Sequence, residues 1–245
     1  MPEALLITRQ DVVKFTAMNG NVDTDNFIQY VKIAQDIHIQ NFLGTDLLQR
    51  LQSEIILATS GIPTAFTITN QGTGYTTTTG VTTTGGTGTG LTLDITDTGG
   101  LITDADIDTA GTGYKVNDVI TVDGGNDDAT IRISAIYTIP TDYNNLLVNY
   151  IKQMLIHWAM VEYLPFAPYQ IANKGVFKHT TENGDTIDSF GLNKLIDKEK
   201  DSAQLYTQRF IDYINANSGL FPEYNTYVNG RVQKDTDQDY FGWVL

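Results

Sequence analysis

The sequence predicts an α+β protein, in which a helical-bundle domain carries an inserted all-β domain made of two internal repeats. Apolar residues recur at three- and four-residue spacing before residue 62 and after residue 139, which is typical of amphipathic helices. Between these segments Thr and Gly dominate, and β-branched residues alternate with polar ones as they do in strands. Within that middle segment the tetrapeptide Gly-Thr-Gly-Tyr occurs twice, at residues 72–75 and 111–114.

Residues 1–61 are the first part of the predicted helical domain. Thr8 stands three residues before Asp11, which is the spacing of a capping box at the start of a short helix. A stronger helix follows Thr24, and its predicted inward face consists of Phe27, Tyr30, Val31, Ala34, Ile37 and Phe42. Gly44 breaks this helix and Thr45 can cap the next one. The residues expected to face inward there are Leu47, Leu48, Leu51 and Ile55.

Residues 62–139 are the predicted β-domain, and they align as two copies of one pattern. Each copy predicts a strand, a Gly-x-Gly-Tyr turn, a strand, a Gly-Gly turn and a third strand. Glycine permits the positive φ angles of tight turns, and the tyrosine ring can fill a small core. The turn residues that carry the pattern are Gly72, Gly74, Tyr75, Gly111, Gly113 and Tyr114. One copy alone would expose a one-sided sheet, whereas two copies can close on each other.

Residues 140–245 complete the predicted discontinuous helical domain. A central helix spans residues 141–164, and it is apolar on most sides but contains too many polar residues to span a bilayer. A last helix runs from about Leu192 to Asn217 and is stopped by Gly219 and Pro222. Its predicted inward residues are Leu195, Ile196, Ala203, Tyr206, Phe210 and Tyr213.

Two segments of this second part are predicted to contact neighbouring subunits. Residues 171–188 are expected to form a hairpin arm that turns at Asn183 and Gly184 and has polar flanks. Residues 225–245 form a polar, aperiodic tail that ends in aromatic residues, which are common interface anchors. The interface candidates are Phe177, Asn183, Gly184, Tyr240, Phe241 and Trp243.

Composition narrows the possible functions. The net charge is −14, so a phosphate backbone is repelled and non-specific nucleic-acid binding is not expected. The middle segment contributes half of that charge, because it contains nine Asp residues and only two basic residues, Lys115 and Arg132. The chain has no cysteine, so disulfides and thiolate zinc sites are excluded.

No pattern in the sequence predicts catalytic, cofactor-binding or metal-binding residues, and we expect a protein that is not an enzyme. The glycine turns lack the Gly-Lys-Ser/Thr of a phosphate loop and the third glycine of a dinucleotide site. The carboxylates of Asp104, Asp106 and Asp108 suggest either a weak calcium site or, preferably, a solvated acidic strand face. The histidines His38 and His157 lie on predicted helices far apart in sequence, and His157 is expected in the core or at an interface.

The helical part resembles the head–tail connector (adaptor or head-completion) proteins of tailed bacteriophages, particularly those of crAss-like phages. The resemblance is carried by three stretches: NFIQYVKIAQDIHIQNFLGTDLLQRLQ, WAMVEYLPFAPYQIANKGVFKHTTENG and AQLYTQRFIDYINANSGLFPEY. It implies a structural virion protein, made in the host cytoplasm, that forms a ring of about twelve copies at the head–tail junction. The implied partners are the portal protein and tail or neck proteins. DNA would pass through the channel of the ring without specific binding, and no membrane is involved.

A competing hypothesis assigns the activity to the β-domain. In that hypothesis the protein binds carbohydrate or a host surface, and Tyr75 and Tyr114 stack on sugar rings. The alternative for both tyrosines is that they fill the core of their own domain, which we prefer because tyrosine readily buries its ring.

Overall fold

The structure is a computed structural model of the chain, and it describes residues 4–16, 24–172, 175–178 and 188–225. These residues form a mixture of helices and strands, so the prediction of an α+β protein is confirmed at this level. The chain divides into two compact units, which we call the helical unit (Met1–Ser53 with Thr141–Leu245) and the β unit (Glu54–Pro140). The β unit therefore starts before residue 62, the start predicted from sequence, because the end of a helix packs with it.

The helices are named in chain order. They are α1 (Arg9–Phe15), α2 (Thr24–Ala34), α3 (Gln40–Thr59), α4 (Thr141–Leu146), α5 (Lys152–Tyr163) and α6 (Ser189–Ala216). Two π-helical segments, Gln35–Ile39 and Leu147–Ile151, join α2 to α3 and α4 to α5. Two 3₁₀ turns, Ser218–Leu220 and Pro222–Asn225, follow α6.

The start of α1 confirms the predicted capping box. The Thr8 main-chain N donates to Asp11 Oδ2 at 2.8 Å, and the Asp11 main-chain N donates to Thr8 Oγ1 at 3.3 Å. Lys152 Nζ also donates to Asp11 Oδ2, at 2.9 Å. Burial raises the pKa of Asp11, but the hydrogen bonds from Lys152 and Thr8 outweigh it and hold the pKa below its ordinary value. This carboxylate therefore both caps α1 and ties it to α5.

The face of α2 that packs inward changes where the π-helical segment begins. Phe27, Val31 and Ala34 are buried as predicted, but Ile37 is 51% exposed, so its predicted inward position is wrong. Each π turn adds a residue to the helical repeat, which shifts the phase of the buried stripe. Ile39 is consequently buried in place of Ile37.

The predicted break at Gly44 is confirmed. This residue has φ 75° and ψ 165° in the middle of α3, a conformation outside the helical region that glycine adopts easily. Beyond the break Leu47, Leu48 and Leu51 are buried as expected. Ile55 is only partly buried, and its neighbour Glu54 is fully buried instead.

The segment from α4 to α5 is the core of the helical unit, as predicted. Its fully buried side chains are Leu146, Ile151, Met154, Leu155, Ile156 and Ala159. It runs antiparallel to α6, because Tyr150 stacks on Tyr213 at 4.1 Å while Trp158 Nε1 donates to Thr207 Oγ1 at 3.1 Å. Such a helix, surrounded on most sides, orients the helices that pack around it.

Helix α6 is buried over its second half only. Asp188 caps its start by accepting a hydrogen bond from the Gly191 main-chain N at 2.8 Å. Ala203 and Phe210 are buried as predicted, but Leu195 is exposed, so its predicted inward position is wrong. The reason is geometric: α5 ends at Tyr163, and the first turns of α6 continue past that end.

The β unit is one antiparallel sheet of six strands. These are β1 (Pro63–Asn70), β2 (Thr78–Gly85), β3 (Thr89–Thr98), β4 (Leu101–Thr112), β5 (Val119–Val122) and β6 (Thr130–Ile136). Their order in the sheet is β1-β6-β5-β2-β3-β4. The two edge strands approach each other, so the sheet is nearly closed. Main-chain hydrogen bonds from Ile102 to Gln71 and from Tyr75 to Gly100, each 3.0 Å long, connect the two edges.

The chain enters and leaves this sheet at one place. Pro63 in β1 is paired with Ile136 in β6, and the Tyr137 main-chain N donates to the Ile62 main-chain O at 2.7 Å. The Tyr137 hydroxyl also donates to the buried carboxylate of Glu54. The end of α3 is thereby attached to the sheet.

A small hairpin follows α5. Strand β7 (Tyr169–Ala172) pairs with β8 (Gly175–Lys178) in an antiparallel sheet, with Ala172 opposite Gly175. The predicted turn at Asn183 and Gly184 lies outside the described residues, so it stays a prediction.

Candidate functional sites

The glycine turns of the β unit bring main chain and tyrosine rings into close contact. Gly72 and Gly111 both have φ +63°, in the region where a Cβ atom is strained. A Cβ on Gly72 would lie 2.5 Å from the Tyr75 ring, and a Cβ on Gly111 would lie 2.4 Å from the Thr89 main-chain O. Gly74 and Gly113 also have positive φ angles. Close packing therefore requires glycine at positions 72 and 111, whereas at positions 74 and 113 the positive φ angles favour it.

Both tyrosines of the repeated motif lie inside the β unit. Tyr75 is 3% exposed and Tyr114 is 2% exposed. The Tyr75 hydroxyl donates to the Val122 main-chain O at 2.8 Å and accepts from the Ala129 main-chain N at 3.2 Å. The Tyr114 hydroxyl accepts from the Leu91 main-chain N at 3.3 Å. Neither ring offers a face on which a sugar can stack.

Three aspartates hold the turns of the β unit together. The pKa of Asp97 is lowered chiefly by the Thr77 hydroxyl, that of Asp118 by the Thr87 hydroxyl, and that of Asp128 by the Thr73 main-chain N. These three contacts are 3.0 Å, 2.7 Å and 2.8 Å long, in the same order. Each carboxylate accepts hydrogen bonds from a segment distant in sequence, so its charge supports the loop conformation.

The acidic face predicted on one strand is present on β4. Asp104, Asp106 and Asp108 are exposed, and Asp106 lies opposite Asp94 on β3. Asp108 Oδ2 accepts from Thr92 Oγ1 at 2.8 Å, and Asp94 Oδ1 accepts from the Gly80 main-chain N. Within the described ranges, no group of three or more His, Cys, Asp or Glu side chains is arranged to hold a metal ion.

His38 and Trp158 connect α5 to the π-helical segment after α2. The two rings are stacked with centroids 4.1 Å apart, and His38 Nε2 lies 2.8 Å from Glu162 Oε1. The imidazole is thus held on one side by an indole and at one edge by a carboxylate. This arrangement fixes the packing of two helices.

His157 forms a comparable contact with α6. Its Nδ1 lies 2.6 Å from Glu199 Oε2, and its ring stacks on Tyr206 with centroids 5.1 Å apart. The sequence predicted His157 in the core or at an interface. It did not predict that Glu162 is the partner of His38 or that Glu199 is the partner of His157. The histidines and their carboxylates come from different helices, so no fixed spacing could have identified them.

The helical unit exposes large apolar side chains that its own core does not cover. The set comprises Val13, Phe15, Ile28, Ile33, Ile37, Val148, Phe166, Tyr169, Phe190, Leu195, Leu205 and Leu220. The most exposed is Phe190, at 66%, on the first turn of α6. Phe166 is stacked on Tyr30 with centroids 5.8 Å apart, so its ring extends an aromatic contact towards solvent. Contiguous apolar patches are typical of contacts with other molecules, whereas apolar side chains exposed singly are common on any protein surface.

The interface candidates from sequence lie mostly outside the described residues. Phe177 is in β8, where its main chain pairs with that of Gln170. Asn183, Gly184, Tyr240, Phe241 and Trp243 are outside the part of the chain that the structure describes. Their proposed contacts stay predictions.

One comparison with known proteins gives a match. A family model described as "Family of unknown function (DUF6712)" matches residues 127–233, which is less than half of the chain. The matched range begins in the loop before β6 and ends beyond α6. No curated protein and no solved structure matches the chain. Among the described residues, we find no helix whose length and apolar content would let it cross a bilayer.

Proposed function

We propose that this protein is a structural virion subunit that forms a ring between the portal and the tail of a tailed bacteriophage and extends the DNA channel. The observation that carries the proposal is the uncovered apolar surface of the helical unit, including Phe166, Phe190 and Leu205. Leaving such side chains in water costs roughly 25 cal/mol for each Å² of apolar surface. Contacts with neighbouring copies and with the portal would cover them.

The electrostatics of the chain agree with this role. A net charge of −14 repels the phosphates of DNA, which suits a channel wall that must let DNA pass without holding it. The resemblance of the helical segments to head–tail connectors supports the same location, in the virion at the head–tail junction. The helical unit, with its central α4–α5 segment, is in this proposal the bundle that forms the ring.

We further infer that the β unit consists of two copies of one three-stranded module. Equivalent glycines have similar φ angles: 63° and 63° at Gly72 and Gly111, and 93° and 97° at Gly85 and Gly124. The main-chain N of each motif tyrosine donates to a glycine carbonyl at 3.0 Å, from Tyr75 to Gly100 and from Tyr114 to Gly61. These glycines are as far apart in sequence as the two tyrosines.

The strand order supports the same inference. If β1–β3 are one copy and β4–β6 the other, then β1 pairs with the third strand of the second copy, and β4 pairs with the third strand of the first. The two second strands, β2 and β5, pair with each other. Exchanging the copies leaves this order unchanged. Because each first strand is paired outside its own copy, neither copy has a complete sheet alone.

Electron cryo-microscopy of phage particles that contain this chain tests the proposed function. We expect a rotationally symmetric ring of this chain directly below the portal, with helical units in contact around the channel. A location in the capsid shell or at the tips of tail fibres would overturn the proposal.

A further inference from the structure

The buried stripe of α6 continues for several turns beyond the part that is covered. Ala203, Thr207, Phe210 and Ile214 follow each other at three- and four-residue spacing and are all buried. The same spacing leads back to Ile196 and Leu192, which are only partly buried. Leu195, adjacent to this stripe, is 47% exposed. One face of the helix therefore carries apolar side chains in both halves, and near its start the described residues of this face are only partly buried or are exposed.

The end of α5 explains why the first turns of α6 are less buried than the rest of that helix. His157 of α5 contacts Glu199 and Tyr206, and α5 ends at Tyr163. The antiparallel course of α5 and α6 then leaves the turns of α6 upstream of Glu199 beyond the end of α5. We call Ser189–Lys200 with its apolar residues Phe190, Leu192, Leu195 and Ile196 the α6 face.

The charge of the α6 face differs from that of the whole protein. Three of its side chains are lysines, Lys194, Lys198 and Lys200, while only Asp197 and Glu199 are acidic. Lys194 Nζ lies 4.3 Å from the centroid of the Phe190 ring, so a cation and an aromatic face are presented together. A partner with carboxylates next to aromatic or aliphatic side chains would complement this face.

The C-terminal tail of this chain has that chemistry. Residues 235–245 read DTDQDYFGWVL, in which three aspartates precede Tyr240, Phe241, Trp243, Val244 and Leu245. The described chain ends at Asn225, in the 3₁₀ turn that follows the far end of α6. The twenty residues beyond it can extend to roughly 60 Å at about 3.3 Å per residue, which is longer than α6.

A contact between the tail of one copy and the α6 face of the next would join two different surfaces. Repetition of such a heterologous contact closes a ring when the rotation between neighbours divides a full turn evenly, whereas a self-complementary contact stops at a dimer. We propose that the C-terminal residues 235–245 of one copy dock on the α6 face of a second copy. This inference rests on the proposed ring and identifies the surfaces that join its neighbours.

Disulfide trapping in the full chain tests this docking, because the natural sequence has no cysteine. Leu195→Cys and Trp243→Cys are made as separate single variants, mixed and oxidised. When the tail of a W243C chain docks on the α6 face of an L195C chain, the two thiols come within bonding range. A disulfide-linked dimer of one L195C chain and one W243C chain should then form. It should form at least about tenfold faster than in the matched control, which mixes Val148→Cys with Trp243→Cys. Val148 is 44% exposed and lies in the π-helical segment after α4, away from the α6 face.

The double variant Leu195→Cys/Trp243→Cys separates the two possible occupants. Docking between copies gives chains of linked subunits on a non-reducing gel, whereas docking of the tail on its own α6 gives a linked monomer and overturns the proposal. Equal rates for the L195C and V148C mixtures would overturn it as well. Sedimentation of the unoxidised protein shows separately whether a ring forms. If a ring forms but the oxidised mixture of L195C and W243C chains does not cross-link, the docking alone is contradicted. A protein that stays monomeric with and without portal contradicts the ring itself.

Discussion

The β unit and the helical unit solve the problem of apolar burial in different ways. The β unit is described completely, and its sheet closes on a core that includes Tyr75, Tyr114, Leu93 and Ile133, with no aromatic ring among its exposed apolar residues. The helical unit buries a comparable core but leaves Phe15, Phe166, Tyr169 and Phe190 exposed.

The difference supports the proposal that the helical unit makes the contacts of the ring. A sheet that is nearly closed has few free edges and little apolar surface with which to bind another chain. In the helical unit the longest helix extends past its neighbour, and its apolar stripe is already ordered, so little conformational entropy would be lost on binding. We therefore propose that assembly belongs to the helical unit and that the β unit is a self-contained addition.

The largest predicted effect concerns the turns that close the β unit. Gly111→Ala places a Cβ 2.4 Å from the Thr89 main-chain O at a φ of +63°, so main chain must move. We expect the free energy of unfolding of the β unit to fall by about 3 kcal/mol or more. Gly124→Ala is the matched control, because φ there is +97° and no atom lies within 4 Å of the added Cβ. It should cost about 1–2 kcal/mol, from backbone strain alone. Equal losses in urea titrations of the two variants would show that close packing at the turn is unimportant.

A smaller effect is expected from the tyrosine hydroxyls. Tyr75→Phe leaves the Val122 carbonyl and the Ala129 N–H buried without their partner, at a cost of about 1–3 kcal/mol. Tyr114→Phe removes one longer hydrogen bond, from the Leu91 N–H, and should cost less, about 1 kcal/mol. Thermal melting of both variants measures the difference. If Tyr114→Phe proved the more damaging, the hydroxyl contacts would not set the stability of the turns.

Acid should weaken the β unit through its three turn aspartates. The pKa values of Asp97, Asp118 and Asp128 are lowered in the folded protein, so the ionised forms stabilise the fold. That contribution to stability is complete when the pH is above 3.8, the ordinary pKa of Asp. It is lost as the pH falls through the lower pKa values of the folded protein. The protection factors of the Thr73, Thr77 and Thr87 amide hydrogens, which compare the measured exchange rate with the intrinsic rate at the same pH, should therefore fall below about pH 4. Asp128→Asn should remove the acid response at Thr73 while leaving that at Thr87. An unchanged response at Thr73 in this variant would exclude Asp128 as its source.

The smallest effect on stability is expected at the exposed apolar surface. Leu205→Ser on α6 should change the free energy of unfolding of the monomer by less than about 0.5 kcal/mol, since that side chain is mostly in water. Phe210→Ala, on the same helix but fully buried, should cost about 3–5 kcal/mol. Urea denaturation of both variants at low protein concentration checks this. A large loss for Leu205→Ser would mean that this surface belongs to the core of the monomer.

Local sequence patterns predicted most helices and strands, because capping, helix breaks and strand alternation depend on neighbouring residues. The capping box at Thr8 and the break at Gly44 are examples. The errors arise where structure depends on distant residues. Ile37 and Leu195 were expected inward, but a π-helical segment rotates the first outward and the end of α5 uncovers the second.

The candidate sites were predictable to a smaller extent. The glycine and tyrosine motif indicated its turns, but the pairing of β1 with β6 joins segments far apart in sequence and could not be read from a local pattern. The contacts of His38 with Glu162 and of His157 with Glu199 depend on how three helices pack. Apart from Phe177, the interface candidates lie outside the described residues, so their contacts stay predictions.

Removal of the β unit's sheet tests most directly whether assembly belongs to the helical unit. The Ile62 carbonyl accepts a hydrogen bond from the Tyr137 N–H at 2.7 Å. The same hydrogen bond would close a β-turn if only two residues stood between Ile62 and Tyr137. Residues 63–136 can therefore be replaced by Asn-Gly, which keeps Tyr137 beside Glu54. The account predicts that this variant retains its helical circular dichroism and, in sedimentation velocity, forms an oligomer with the same number of copies as the full chain. A variant that is folded but monomeric, under conditions in which the full chain assembles, would contradict it.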